Sequence, residues 1–124
     1  MILCDTNILI EFYKNNQPVT DQLRTIGAAN LAISVVTAAE LYYGAFNKIE
    51  LRKIQKHLAL LRQYPLTTTI SDKFLELLET FALSHKLSLP DALIAATALT
   101  HDLSLYTLNI KDFHYIPELN LHQP

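Results

Sequence analysis

An α/β fold, with helices covering both faces of a mainly parallel sheet, is what this sequence predicts. Three observations predict it. Short apolar runs such as "MILC", "LAIS" and "LSLYTL" recur along the chain with no polar alternation, as strands buried on both faces do. Longer segments with helical spacing separate these runs, which is the βα order of a parallel sheet. Finally, 124 residues, half of them hydrophobic, suffice for one core but not two, so residues 1–124 are expected to form a single domain.

In order along the chain, "MILC" is a strand and "NILIEFY" a helix of a turn or two. "DQLRTI" is a second short helix and "LAIS" a second strand. "VTAAELYYGAF" and "IELRKIQKHLALLRQ" are helices, the latter with Ile54, Leu58 and Leu61 at helical spacing. "YPLTTT" reads as a third strand. "SDKFLELLETFALSHKL" is a long amphipathic helix with Ser71 or Asp72 as its cap. "SLPDALIAATALTH" is a helix, "LSLYTL" a strand, "KDFHYI" a turn and "LNL" a last strand. The alanines of "DALIAATAL" permit that helix to lie close on the sheet.

Composition removes several function classes. A formal net charge of −2 gives no overall attraction to polyanions, so any nucleic-acid contact must come from a local patch. The single cysteine excludes an internal disulfide and fits a reducing compartment, expected to be the cytoplasm. Asp5 interrupts the first apolar run and no basic segment precedes it, so no signal peptide is expected. No window approaches 18 uninterrupted apolar residues, so no membrane span is expected. Cys4, among apolar neighbours, is expected to be a small core residue and not a nucleophile. The histidines at 57, 85, 101, 114 and 122 have no zinc-site spacing. There is no nucleophile elbow, phosphate-binding loop or dinucleotide fingerprint.

The carboxylates are more informative. Sites in open parallel sheets gather at the carboxyl ends of the strands. Asp5 follows the first strand, and Glu40 lies in the helix after the second. Asp91 opens the helix leading into the "LSLYTL" strand, and Asp112 follows that strand. The four could meet at one edge of the sheet. Each also has a plainer explanation. Asp5, Thr6 or Asn7 could cap the first helix. Thr37 to Glu40 has the form of a capping box, and Ser88 to Asp91 a similar one with Pro90 in the first turn. Asp112 could cap a turn. Asp72 and Asp102 are expected to be capping or solvated residues.

At these same residues the chain resembles the PIN-domain family, and within it the VapC-type toxin nucleases. The stretches that carry the resemblance are "CDTNILI", "AISVVTAAELYYGA", "LPDALIAATAL" and "LYTLNIKDFHYIPELNL", in the family's order and over nearly the whole chain. The resemblance implies a three-layer α/β/α sandwich and a metal-dependent endoribonuclease. It implies that Asp5, Glu40, Asp91 and Asp112 form one catalytic site binding Mg²⁺ or Mn²⁺, with Thr6, Asn7, Thr107 and Asn109 at supporting polar positions. It implies an RNA substrate, a cognate antitoxin whose tail covers the acidic groove, and a homodimer. Glu118 stands where the family often has Gly after "IP". Such chemistry suits the residues: phosphodiester hydrolysis needs an activated water and charge neutralisation at phosphorus, and a hard cation on oxygen ligands supplies both. Asp91 is then expected to be both cap and ligand.

Two further groups stand out. Lys48, Arg52 and Lys56 fall four apart on one helix face, with Lys53 adjacent, and could contact RNA or be a solvated face. Tyr42, Tyr43 and Phe46 are expected to pack in a core, although the resemblance allows a dimer or partner surface. The competing class is a catalytically silent binding module of the same fold. A phosphoacceptor receiver domain fits poorly, because it wants paired acids after the first strand where this chain has "DTN".

Overall fold

The computed structural model describes residues 1–124. In chain order the elements are β1 (Ile2–Cys4), α1 (Thr6–Tyr13), α2 (Gln17–Ile26), β2 (Leu31–Ser34), α3 (Val35–Tyr43), α4 (Lys48–Leu58), β3 (Arg62–Tyr64), α5 (Thr68–His85), α6 (Leu89–Thr100) and β4 (Ser104–Tyr106). The four strands are all parallel, in the order β3-β2-β1-β4. The chain steps outward from β1 to β2 to β3, then returns past β1 to β4. Crossovers between parallel strands are right-handed, so reversing direction moves the connecting helices to the other face. The result is the three-layer sandwich.

The strands divide their side chains by the two-residue period of the pleat. Leu3, Ala32, Tyr64 and Leu105 join one core with Ile70 and Leu77 of α5, five buried residues of α6, and Phe113 and Ile116. Cys4, Leu31, Ile33 and Tyr106 join the other, against Ile8 and Leu9 of α1, Val19 and Leu23 of α2, Ala38 and Leu41 of α3, and Ile54 and Leu58 of α4. Four alanines of α6 are at most 1% exposed, so this helix seats closely on its neighbours. Cys4 is free and fully buried, and burial pushes its thiol up to about 12. It is an inert core residue.

Several boundaries differ from expectation. The third strand is Arg62–Tyr64, not the segment from Tyr64 onward. Pro65 follows Tyr64 directly, and a proline has no N–H to continue the ladder. The threonines beyond it, β-branched and strand-like in composition, instead start α5. Thr67 Oγ1 accepts from the Ile70 N–H at 3.2 Å, so Thr67 is the cap and not Ser71 or Asp72. Helix α2 starts earlier than expected, at Gln17, because Asn16 caps it and Pro18 sits in its first turn. The "LNL" strand is reduced to one parallel bridge, Leu121 to Leu105. Glu118 has φ of 68°, the left-handed conformation that glycine takes without penalty. No helix is long and apolar enough to cross a membrane.

Candidate metal centre and active site

The sheet reverses direction at β1 and β4, and ligands in open parallel sheets bind outside the carboxyl ends of the strands at such a point. Asp5 follows β1 and Thr107 follows β4. The Asp5 N–H donates to the Tyr106 carbonyl at 2.9 Å, extending the ladder by one bond. Both Asp5 carboxylate oxygens are held. Oδ1 accepts from the Thr6 N–H at 2.8 Å, and Oδ2 accepts from the Thr107 hydroxyl at 2.8 Å. Asp5 is therefore the N-cap of α1 and the tie between the two central strands.

Supporting polar residues extend this tie in both directions. The Thr6 hydroxyl donates to Glu40 Oε1 at 2.7 Å and lies 3.0 Å from the Thr37 hydroxyl. Thr107 Oγ1 accepts from the Asn109 N–H at 3.0 Å, and the Asn109 carbonyl accepts from the Asp112 N–H at 3.0 Å. That second bond closes a 3₁₀ turn, Ile110–Asp112, which carries Asp112 back toward the edge. Asn7 is half-buried, and its Oδ1 is the one buried side-chain polar atom without a hydrogen-bond partner. Such an orphan is unusual inside a folded protein.

Glu40 is not part of a capping box. Helix α3 is capped by Ser34, whose hydroxyl accepts from the Val36 N–H at 3.1 Å, and Glu40 lies beyond the first turn with its carboxylate on Thr6. Thr37, fully buried against Thr6, is a supporting residue that motif spacing did not single out. The cap of α6 is Ser88, accepting from the Asp91 N–H at 3.2 Å, and Pro90 sits in the first turn as expected. Asp91 is half-buried in that turn, where the helix dipole favours an anion.

The carboxylates feel one another. Burial raises the Asp91 carboxyl to about 6, and the charges of Asp5, Asp112 and Glu40 push the same way against a hydrogen bond from Ser88. Asp5 is raised by burial, opposed by its bonds to Thr107 and Thr6, with Glu40 and Asp112 adding further upward push. Like charges that disfavour ionisation are the signature of an acidic pocket lacking its counter-ion. No three His, Cys, Asp or Glu side chains form a ready-made ion cage, however. The donor set consists of oxygen alone and includes the unpartnered Asn7 amide oxygen. It fits a Mg²⁺-like ion that binds one or two carboxylates and keeps several waters, and not an ion demanding a closed cage.

Beside Glu40 a cavity of about 660 Å³ opens between α1, α3 and α4, lined in part by Tyr13, Lys14, Leu41, Ile49 and Lys53. Lys53 is the one α4 cation in its wall. Lys48, Arg52 and Lys56 are exposed on the outer side of the helix. Tyr42, Tyr43 and Phe46 were expected in a core, but Tyr43 is 95% and Phe46 90% exposed and Tyr42 is partly so. α3 ends at Gly44, and the connection to α4 carries Phe46 out into solvent.

Comparisons agree with this architecture. The PIN domain model matches residues 2–119. Ribonuclease VapC10 of Mycobacterium tuberculosis is 36% identical over 121 residues, covering 96% of this chain and 90% of its own. A toxin-antitoxin complex from Klebsiella pneumoniae contains a chain 32% identical, with a TM-score of 0.82, covering 96% of this chain and 95% of that one. VapBC2 from Rickettsia felis, solved bound to a DNA fragment from its promoter, is 29% identical with a TM-score of 0.78 over 98% of both chains. With the fold, the acidic edge and these relatives in agreement, the chain belongs to the PIN-domain family, in its VapC-type branch.

Proposed function

We propose that this protein is the toxin of a type II toxin–antitoxin pair, an endoribonuclease that hydrolyses RNA phosphodiester bonds with Mg²⁺ or Mn²⁺. The observation that carries the proposal is the Asp5–Thr107 tie, which draws the ends of β1 and β4 together and sets the acidic elements around them. The 36% identity to a named ribonuclease supports the same chemistry. Asp5 and Asp91 are the proposed direct metal ligands, with Glu40 and Asp112 acting on its waters. The bound ion would supply charge neutralisation at phosphorus and acidify a water.

The chain's own residues have separate tasks. Thr107 and the Thr6 N–H hold the Asp5 oxygens in fixed directions, so the carboxylate needs no reorganisation when an ion arrives. Thr6 aims Glu40 into the edge. Asp91, with its carboxyl raised to about 6, can exchange a proton with water near neutral pH. The antitoxin and a second copy of the chain are assigned to the surface around Tyr42, Tyr43 and Phe46, and the α4 stripe of Lys48, Arg52 and Lys56 to an outer RNA contact. RNA as substrate and a lone unpaired cysteine place the protein in the cytoplasm.

Incubation with total RNA, followed by mapping of the cleaved ends, tests this function. Discrete ends that appear with Mg²⁺ and vanish with EDTA are expected. Intact RNA under both conditions, with metal binding retained, would make the chain a silent module and overturn the proposal.

A further inference from the structure

Across the acidic edge from the α3–α4 cavity, the end of α5 meets the loop after Asp112 in a stack of rings. His85 lies flat on Tyr115, with centroids 3.9 Å apart and planes 14° apart. Phe81 meets His85 at 5.6 Å and Tyr115 at 5.1 Å, both edge-on. The inner ring, Tyr115, is half-buried and borders the site: burial holds its phenol above the ordinary range, and the charges of Asp112 and Asp91 add to that. The outer ring, His85, is exposed.

Two lysines flank this stack. Lys86 follows His85 directly. The backbone carbonyl of Lys111 lies 3.2 Å from His114 Nδ1, and His114 meets Tyr115 edge-on. Neither lysine is engaged: the two ion pairs of the molecule are Lys14–Glu11 and Lys73–Glu76. His85 Nδ1 is 2.8 Å from the Ser84 hydroxyl, so no carboxylate holds it either. Lys86 takes the left-handed position that ends α5, with φ of 53°, where glycine is the usual residue. The chain thus keeps a cation at a place where a side chain is conformationally disfavoured.

We infer that this ledge seats the RNA strand beside the scissile phosphate, with one base continuing the Tyr115–His85 stack and backbone phosphates on Lys86 and Lys111. The inference rests on the ribonuclease function proposed above and names where its substrate lies. Rings interleaved with free cations are what single-stranded nucleic acid requires. Every base has a face to stack, and the phosphates supply the charge. The acidic edge itself repels phosphates, so cations immediately beside it are needed to bring a strand in. His85, Lys86 and Lys111 are positioning residues; none of them acts on the reacting atoms.

The test is equilibrium binding of a short fluorescein-labelled single-stranded RNA of mixed sequence, in an Asp91→Asn background so that the strand is not cut. His85→Ala should weaken binding about tenfold, within the usual range for one stacked base, while His85→Phe keeps the ring and should restore it. The double change Lys86→Ala and Lys111→Ala should flatten the dependence of log affinity on log salt by about 1.4, or about 0.7 per phosphate released. Undetectable binding, or equal affinity and salt slope in all variants, would overturn the ledge. So would variants that lose a protein partner while RNA binding is unchanged. Cleavage of total RNA by the unmodified chain separates the two ideas. Cleavage with unaltered ledge variants removes the ledge alone. Ledge-dependent binding with no cleavage removes the nuclease and keeps the ledge.

Discussion

On the α5–α6 side of the acidic edge the rings and alanines are packed. Phe113 is 1% exposed, and Ile94 and Ala95 are sealed beneath Asp91 on the same helix. On the α3–α4 side the large apolar residues face water, and a cavity of about 660 Å³ separates the helices. Asp91 stands on the packed side and Glu40 on the open one. The contrast shows how one site can be both rigid and accessible. Close packing fixes the carboxylate with the most perturbed titration, while a single hydroxyl contact from Thr6 holds the carboxylate beside the opening. Surface left apolar on the open side suits a partner that is itself apolar.

The contrast is broken first at the packed side's carboxylate. Asp91→Asn keeps the shape, and Ser88 still caps the helix. It should fold normally and lose cleavage by on the order of 10³-fold, equivalent to several kcal/mol of metal-derived stabilisation. It should also lose the stabilisation by Mn²⁺, about 1.4 kcal/mol for the parent at tenfold the dissociation constant. Thermal melts with EDTA and with Mn²⁺, beside one cleavage assay, check both. Cleavage at the parental rate would reduce Asp91 to a helix-end residue.

Core substitutions compare the two sides directly. Ile94→Ala should destabilise by about 2–5 kcal/mol in a urea titration, as large-to-small changes in sealed cores do. Ile49→Ala, on the open side, should stay within about 0.5 kcal/mol. Comparable losses would mean that the cavity is filled in solution.

Acidification should act on the two sides in opposite directions in metal-free protein. The folded Asp91 carboxyl at about 6 lies above its unfolded value of 3.8. Between those values the folded state binds more protons than the unfolded one, so Asp91's contribution to stability rises as pH falls through that window. His57, on the open side, is lowered from 6.5 by burial, with the Tyr13 hydroxyl 2.8 Å from its Nδ1. Its contribution is present above 6.5 and is lost as pH falls below it. Melts between pH 7 and pH 4 should show Asp91→Asn abolishing the first effect and His57→Phe the second. A parental profile in Asp91→Asn would contradict the first assignment. The smallest effect is Glu118→Gly, which relieves a left-handed φ of 68° and should stabilise by up to about 1 kcal/mol, read from the urea midpoint.

The four carboxylates were legible in the sequence because each stands beside a strand end or a helix start, and strand ends converge in a parallel sheet. The Asp5–Thr107 bond spans 102 positions, so the partners were nameable only through the family pattern. Tyr43 and Phe46 were misread because periodicity tells a residue's face and not whether anything covers that face. Thr67–Thr69 was misread for another reason: its β-branched composition favours a strand, but the Thr67 hydroxyl turns it into a helix start. The ledge left no mark in sequence, since His85 and Tyr115 meet only through the packing of α5 against the final loop.

The position of β4 has a consequence for synthesis. The strand that completes the acidic edge comes last of the four and pairs with the first. A nascent chain that has not yet released residues 104–112 lacks Thr107, Asp112 and the ladder bond that fixes Asp5. Closing so long a loop is also entropically slow, so the edge forms late even when the chain is free. An enzyme made on RNA, amid RNA, is thereby inert for as long as its own translation lasts.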